Sequence, residues 1–427
     1  MKTLSTLALA AALATGLGGI AVVQPVLAAK KEEPKPGLKL SQEFVKLAKP
    51  AQDAVAAKNY AGAEPLVAAA EAGAKNDDEK YVAQSLRFDL ARGQIYAARD
   101  SNPNAPVNET SLAGPLDALI ANPSTPATNK PGYYYARGVL AFNGKQNAQA
   151  VEYLGKAREL GYADPNLDLM IAKAKFDNND LAGGSADLDT AIAKTKASGK
   201  PAPEDYYKYA ISRSLRAKDK AQTLGWMSKW AQAYPTPQTW HDVLVTYGLS
   251  TPSVDVLDKN QRIDLFRLMR DTKGLADQSL YEQYAQDVID RGLPTEALAV
   301  MKEGQASGKL TAGRNLTEAL AQANNQAKGE GSLAPLETKA KASADGKLSA
   351  QTADAYLSKG DNAKAAELYR AALTKGGVNA DEVNTHLGIA LSRSGDKAGA
   401  TAAFANVKTG ARGNLATLWS AWVSTQA

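Results

Sequence analysis

Cysteine is absent from this 427-residue chain, and histidine occurs only twice, at His241 and His386. Those two facts exclude thiol nucleophiles, Cys/His zinc sites, covalent haem attachment and disulfide scaffolds. Charge of one sign is not concentrated anywhere. Fifty basic and 45 acidic residues give a net charge of +5, spread without long blocks, at a pI of 8.9. A nucleic-acid binder gathers Lys and Arg into a stripe, so the mild basic balance reads as solubility and no nucleic-acid partner is expected. No Gly-x-Ser-x-Gly elbow and no phosphate-loop Gly-Lys-Ser/Thr run is present. Alternating strand patterns bounded by turn residues are missing too. What the chain does have is alanine, roughly a fifth of all residues, and a 44% hydrophobic share against 22% charged. That is a folded helical composition, and it leans away from most enzyme chemistries.

The first residues carry an address. Lys2 precedes an uncharged run from Thr3 to Ala29, with the apolar stretch Leu4 to Val23 inside it. Gln24-Pro25 breaks the run and Val26-Leu27-Ala28 supplies small-residue exit spacing. Residues 1–28 are expected to be a signal peptide cleaved after Ala28. An uncleaved anchor is the rival reading, but Ala, Gly and Thr dilute the stretch. No cysteine follows, so no lipid anchor forms there. Residues 29–40 are a charged, Pro-broken linker. No other run approaches membrane length, so the mature chain is expected not to insert in a membrane and to reside in a bacterial periplasm.

Self-similarity organises the remainder. The stretch Ala353-Asp354-Ala355-Tyr356 through Gly360-Asp361, Ala365, Tyr369 and Ala372 aligns with Gly388-Ile389-Ala390-Leu391 through Gly395-Asp396, Ala400, Phe404 and Val407. Ala353 to Gly388 is a step of 35 residues. Gly138, Ala141, Ala150, Leu154 and Ala157 sit at matching landmarks, and Ala172, Gly184, Leu188 and Ala191 follow 34 residues on from Gly138. Ala285, Val288, Gly292, Ala297 and Met301 mark another unit, which leaves a degenerate one at Thr311 to Ala344. This pattern resembles the tetratricopeptide repeat family, of secreted or periplasmic bacterial type. The resemblance implies an all-α fold, a right-handed α-solenoid of helix-turn-helix units that bury their faces only by stacking. The expected organisation is degenerate helical repeats over 41–130, repeats over 131–234, an irregular helical insert over 235–276, repeats over 277–410, and a capping helix over 411–427.

Several motifs carry a chemical reading beside a plainer one. Gly329-Glu330-Gly331-Ser332-Leu333-Ala334 spells a dinucleotide loop but follows a helical stretch, so a repeat turn is preferred. Asp177, Asp180, Asp187 and Asp189 lack the alternating ligands and terminal Glu of a calcium loop, and turn or cap use is preferred. His386 is expected on a first helix in a packing role. His241, beside Trp240, is also read as structural. No catalytic residue, metal ligand or cofactor is expected.

In the tetratricopeptide family the first helix of each pair lines a concave groove. Transferred by that resemblance, the groove residues are Tyr135, Val139, Phe142 and Asn143, then Leu169, Lys173, Phe176 and Asp177, then Tyr207, Ile211 and Leu215. An exposed aromatic stripe marks a partner site; the competing reading puts these side chains in the core. Tyr133, Tyr134 and Tyr135 are consecutive, so at least one must be core. The expected function is a non-catalytic scaffold or adaptor for a protein or peptide partner in the cell envelope. The alternative is the helical arm of an envelope enzyme or export system.

Overall fold

The computed structural model describes residues 37–102 and 109–426; the leader proposed at 1–28 and most of the linker lie outside them. The described chain is all-α, with 21 helices. It divides into two compact units, 1–202 and 203–427.

The first unit contains α1 (Gln42–Ala56), α2 (Tyr60–Gly73), α3 (Asp77–Ser101), α4 (Ala113–Ala121), α5 (Lys130–Asn143), α6 (Asn147–Glu159), α7 (Leu167–Asp177) and α8 (Leu181–Ala197). The second begins with α9 (Glu204–Arg216), α10 (Lys220–Ala233), α11 (Pro237–Leu244), α12 (Lys259–Asp271), α13 (Gln278–Asp290) and α14 (Pro294–Ala306). It continues with α15 (Arg314–Glu330), α16 (Ala334–Ala342), α17 (Lys347–Ser358), α18 (Asn362–Lys375), α19 (Ala380–Arg393), α20 (Lys397–Ala405) and α21 (Gly410–Thr425).

One turn is used again and again within the helix pairs. The second residue beyond the first helix adopts a left-handed conformation, and the next residue is the N-cap of the second helix. It recurs at Lys58-Asn59, Lys145-Gln146, Asn179-Asp180, Lys218-Asp219, Gly292-Leu293, Gly360-Asp361 and Gly395-Asp396. In each, the second residue's N–H reaches back five positions to a helix carbonyl, as Asp361 does to Tyr356 and Asp396 to Leu391, both at 2.9–3.0 Å. That bond satisfies a carbonyl the helix end would otherwise leave bare. Where the second residue is Asp or Asn, its side chain also caps the new helix: Asp180 accepts from the Gly183 N–H, Asp361 from Lys364 and Asp396 from Gly399.

Pair packing explains the small-residue landmarks. A Cβ on Gly388 would stand 2.5 Å from the Phe404 ring, and one on Gly138 would stand 2.6 Å from Leu154. The helices of a pair cross at these points, closer than any side chain would permit.

The segment expected as an irregular insert, 235–276, is not peripheral. It forms α11, a π-helical turn over Val245–Leu249, and α12. In α12 the seven consecutive residues from Ile263 to Met269 are all buried, so the helix is covered on every side. In the degenerate unit expected over 311–344, Leu316 and Ala323 of α15 are buried while most of the polar side is exposed.

The last helix does more than cover a final repeat. On one side α21 packs against α19 and α20; on the other it packs against α10 and α12. The stack of the second unit therefore closes upon its own first helices.

Candidate functional site

The residues assigned to a groove by family resemblance lie in both units and are described unit by unit. In the first, Tyr135 and Val139 are core side chains, 3% and 1% exposed. The reason is local. α5 is packed by α4 and α6, and Tyr162, from the turn after α6, stacks on Tyr135 with ring centroids 4.4 Å apart. Phe176 is also buried and lies against Gly184, where a Cβ would stand 2.8 Å from its ring. Phe142 and Leu169 are half-buried, Phe142 packing against the same core as Tyr135. Of the three consecutive tyrosines, Tyr133 and Tyr135 are core and Tyr134 is half-buried. In the second unit Tyr207 is buried, edge-on to Trp226 and Tyr234 at about 6 Å. Four of the six principal residues thus fill the core.

The other motifs resolve simply. Gly329-Glu330-Gly331 ends α15, and Gly331 takes a left-handed conformation. Asp180 caps α8, and Asp187 pairs with Arg158 and Lys175. Among the described residues no group of three or more His, Cys, Asp or Glu is arranged to hold a metal ion. No described helix is long and apolar enough to cross a membrane. His241 faces the Gly274 carbonyl through Nδ1 at 3.0 Å.

The most unusual chemistry lies inside the second unit. His386, on α19, is buried and bonded at both ring nitrogens: Nε2 to Asp264 at 3.0 Å and Nδ1 to Asp354 at 2.8 Å. Burial alone would lower its pKa, but the two carboxylates outweigh burial and push it up to about 9. The ring is therefore an imidazolium donating twice, with no lone pair left for general-base work. Asp264, wholly buried on α12, also receives Arg267 and, from α21, Arg412. Burial favours its neutral form, yet these cations hold it well below the usual carboxylate range.

Further ion pairs extend the cluster. The Arg267 guanidinium donates to both oxygens of Glu296 at 2.9 and 2.7 Å, and the Tyr284 hydroxyl donates to the same carboxylate at 2.6 Å. Tyr369 donates to Asp354 at 2.7 Å. Arg393 forms a two-point pair with Asp271 at 2.9 and 3.0 Å. Burial drives the Tyr284 and Tyr369 hydroxyls well above their ordinary pKa, so both remain neutral donors.

This cluster floors a cleft whose rim is less committed. Asn260, Arg291 and Glu382 stand at the opening, with Ile263, Leu293, Arg267, Asp354 and His386 lining it beneath. Arg291 is 3.6 Å from Asp354 and 3.8 Å from Glu382, ion contacts beyond hydrogen-bond distance. The floor is a saturated network; the rim offers a guanidinium, an amide and a carboxylate.

Sequence reasoning named Asp354 and Tyr369 only as repeat landmarks and His386 only as a packing residue, and it missed the other members of this cluster. A signal was present: Asp264 and Arg267 interrupt an apolar run, Ile263 to Met269, that is too uniformly apolar for a surface helix.

Comparison with known proteins adds little to these observations. No family model and no curated protein matches the chain. Among solved structures, the pentatricopeptide repeat protein PPR10 from maize aligns over 87% of this chain at 14% identity, with a TM-score of 0.26. The apo form of RapI aligns over 78% of this chain and 97% of its own, at 11% identity and a TM-score of 0.22. This chain spans 61% of the length of PPR10. At these values the fold assignment rests on the chain's own helices: it is an all-α protein built of paired helix-turn-helix units.

Proposed function

We propose that the chain is a non-catalytic helical-repeat scaffold that binds a protein or peptide partner in the bacterial cell envelope. The observation that carries this reading is the contrast within the cleft of the second unit. Its buried charges are spent on one another, while Arg291, Asn260 and Glu382 at the rim stand without short internal hydrogen bonds. Rim groups of this kind give an interface orientation and selectivity. An envelope location follows from the leader at residues 1–28, and the mature chain begins at Ala29. It is exported to the periplasm and uses no cofactor.

The test joins both parts. N-terminal sequencing of the protein recovered from a periplasmic extract should begin at Ala29; an intact Met1 chain in the membrane fraction overturns the localisation. Pull-down from envelope extract should enrich a partner with the wild-type chain and lose it with Arg291→Glu, at unchanged melting temperature. Equal enrichment by both chains moves the partner away from the cleft, and hydrolysis of any envelope substrate by the purified chain overturns the non-catalytic reading.

A further inference from the structure

Charges of opposite sign face each other across the cleft of the second unit without closing into a hydrogen-bonded pair. Arg291, just beyond α13, is 3.6 Å from Asp354 Oδ2 and 3.8 Å from Glu382 Oε1. Asp354 is held from below: its Oδ1 accepts from His386 at 2.8 Å and from Tyr369 at 2.7 Å, which leaves Oδ2 turned to the rim. Glu382 stands in the first turn of α19 and Asn260 in the first turn of α12. Between these groups the free space is that of about one water molecule, so only the tip of a side chain enters. The arrangement selects against a ligand of a single charge. An anion drawn to Arg291 comes to rest beside Glu382 and Asp354, and a cation drawn to those carboxylates meets Arg291. With the three groups under 4 Å apart, each attraction is offset by a repulsion of similar size. A ligand that carries both signs side by side escapes this penalty, because it replaces long contacts by short charge-assisted hydrogen bonds at both ends.

We propose that this cleft recognises a lysine and a glutamate presented side by side by a protein partner. The lysine ammonium enters between Asp354 Oδ2 and Glu382, with the Asn260 amide oxygen as a third acceptor. The glutamate carboxylate takes the Arg291 guanidinium. Lysine suits the entry better than arginine, since its ammonium is compact and the space admits only a water-sized group. The principal acceptor is in place before the partner arrives, because His386 and Tyr369 fix the Asp354 carboxylate and Arg267 is itself tied to Glu296 beneath. This assignment rests on the scaffold reading of the same cleft and deepens it: a requirement for both signs at once is added to the requirement for Arg291.

The probe is an acetylated, amidated Ala/Gln helical peptide carrying one Glu and one Lys at i and i+4, positions that adjoin on a helix face. It is titrated into the full chain labelled with 15N-arginine, beside companion peptides that keep only the Glu or only the Lys. The Arg291 Nε–H resonance, identified by its loss in Arg291→Lys, should shift saturably with the paired peptide. The affinity should be at least tenfold above that of either single-charge peptide. Glu382→Gln should bring the paired peptide down to the level of the Glu-only peptide, at unchanged melting temperature. Equal affinity for a single-charge peptide, or no saturable shift with any of the three, overturns the proposal. Failure of the scaffold reading looks different. If Arg291→Glu still captures the envelope partner while the paired peptide binds wild type as expected, the placement of that partner falls and the two-sign site stands. Loss of capture by Arg291→Glu, together with equal affinities for paired and single-charge peptides, keeps the partner at the cleft and overturns its two-sign chemistry.

Discussion

Arg412 and Asp264 lie 148 positions apart in sequence, and their side chains meet in the closed interior of the second unit. Asp264 is wholly buried and Arg412 nearly so. A pair of this kind gains little over a well-packed apolar pair, because desolvation of two charges offsets their attraction. Its breakage is another matter. Arg412→Ala leaves Asp264 with less positive charge than its burial demands, and the expected loss is about 3–5 kcal/mol in chemical denaturation. Asp264→Asn in the same background should not recover that loss, because His386 and Arg267 then lose the carboxylate they share. If Arg412→Ala costs no more than a surface substitution, the pair does not hold the closure.

The His386 bridge makes stability depend on alkaline pH. The groups facing the ring are Asp264 and Arg267 on α12, Asp354 on α17, Tyr369 on α18 and Arg412 on α21, with Arg291 and Glu382 at the cleft rim. Its folded pKa, about 9, lies above the ordinary 6.5. The contribution is therefore complete below pH 6.5, declines as pH rises, and is gone above about 9; its size is on the order of 3 kcal/mol. Melting temperature measured from pH 6 to 10 should fall more steeply for wild type than for His386→Gln. Parallel profiles would remove the imidazolium from the account.

Much of the fold was legible in the sequence because the repeat turn leaves a local signature. A Gly or Asn beside Asp, followed by small-large-small spacing, is enough to mark the pairs at Gly360-Asp361 and Gly395-Asp396. The same geometry at Lys58, Lys145 and Lys218 was harder to see, since Lys does not advertise a left-handed conformation. The groove assignment shows where local reading stops. Tyr135 occupies a position that faces a groove in a regular array, yet the turn bearing Tyr162 folds over it here. The charged cluster was less legible still. Its partners are 29, 32, 122 and 148 positions apart, and no periodicity announces that Asp264, Glu296, Asp354, His386 and Arg412 will converge.

The helix crossings give a sharp steric test. A Cβ at Gly388 would lie 2.5 Å from the Phe404 ring, and that ring is pinned on its other side by Trp419. Gly388→Ala should therefore destabilise by about 1–3 kcal/mol, despite Ala being the better helix former. Gly155, on α6 of the first unit, has open space around its Cβ position. Gly155→Ala should instead leave stability unchanged or raise it by up to about 1 kcal/mol. The pair of variants separates crowding from propensity, and equal effects would contradict the packing described.

The final prediction concerns the aromatic residues that family resemblance placed in a groove. Tyr135 and Phe176 in the first unit, and Tyr207 in the second, are buried, and each touches another ring or a glycine crossing. Their replacement by Ala should cost about 3–5 kcal/mol each, as for large-to-small changes in a core. Phe142 is half-buried, so part of its surface is already in water and Phe142→Ala should cost clearly less. Chemical denaturation of the four variants ranks them directly. The order matters more than the values: a groove stripe would show four small losses, and a core shows three large ones with Phe142 set apart. Partner capture by Phe142→Ala then tests the one aromatic of the four that still reaches solvent. A stable Phe142→Ala chain with unaltered capture would remove the last of these aromatics from the binding surface.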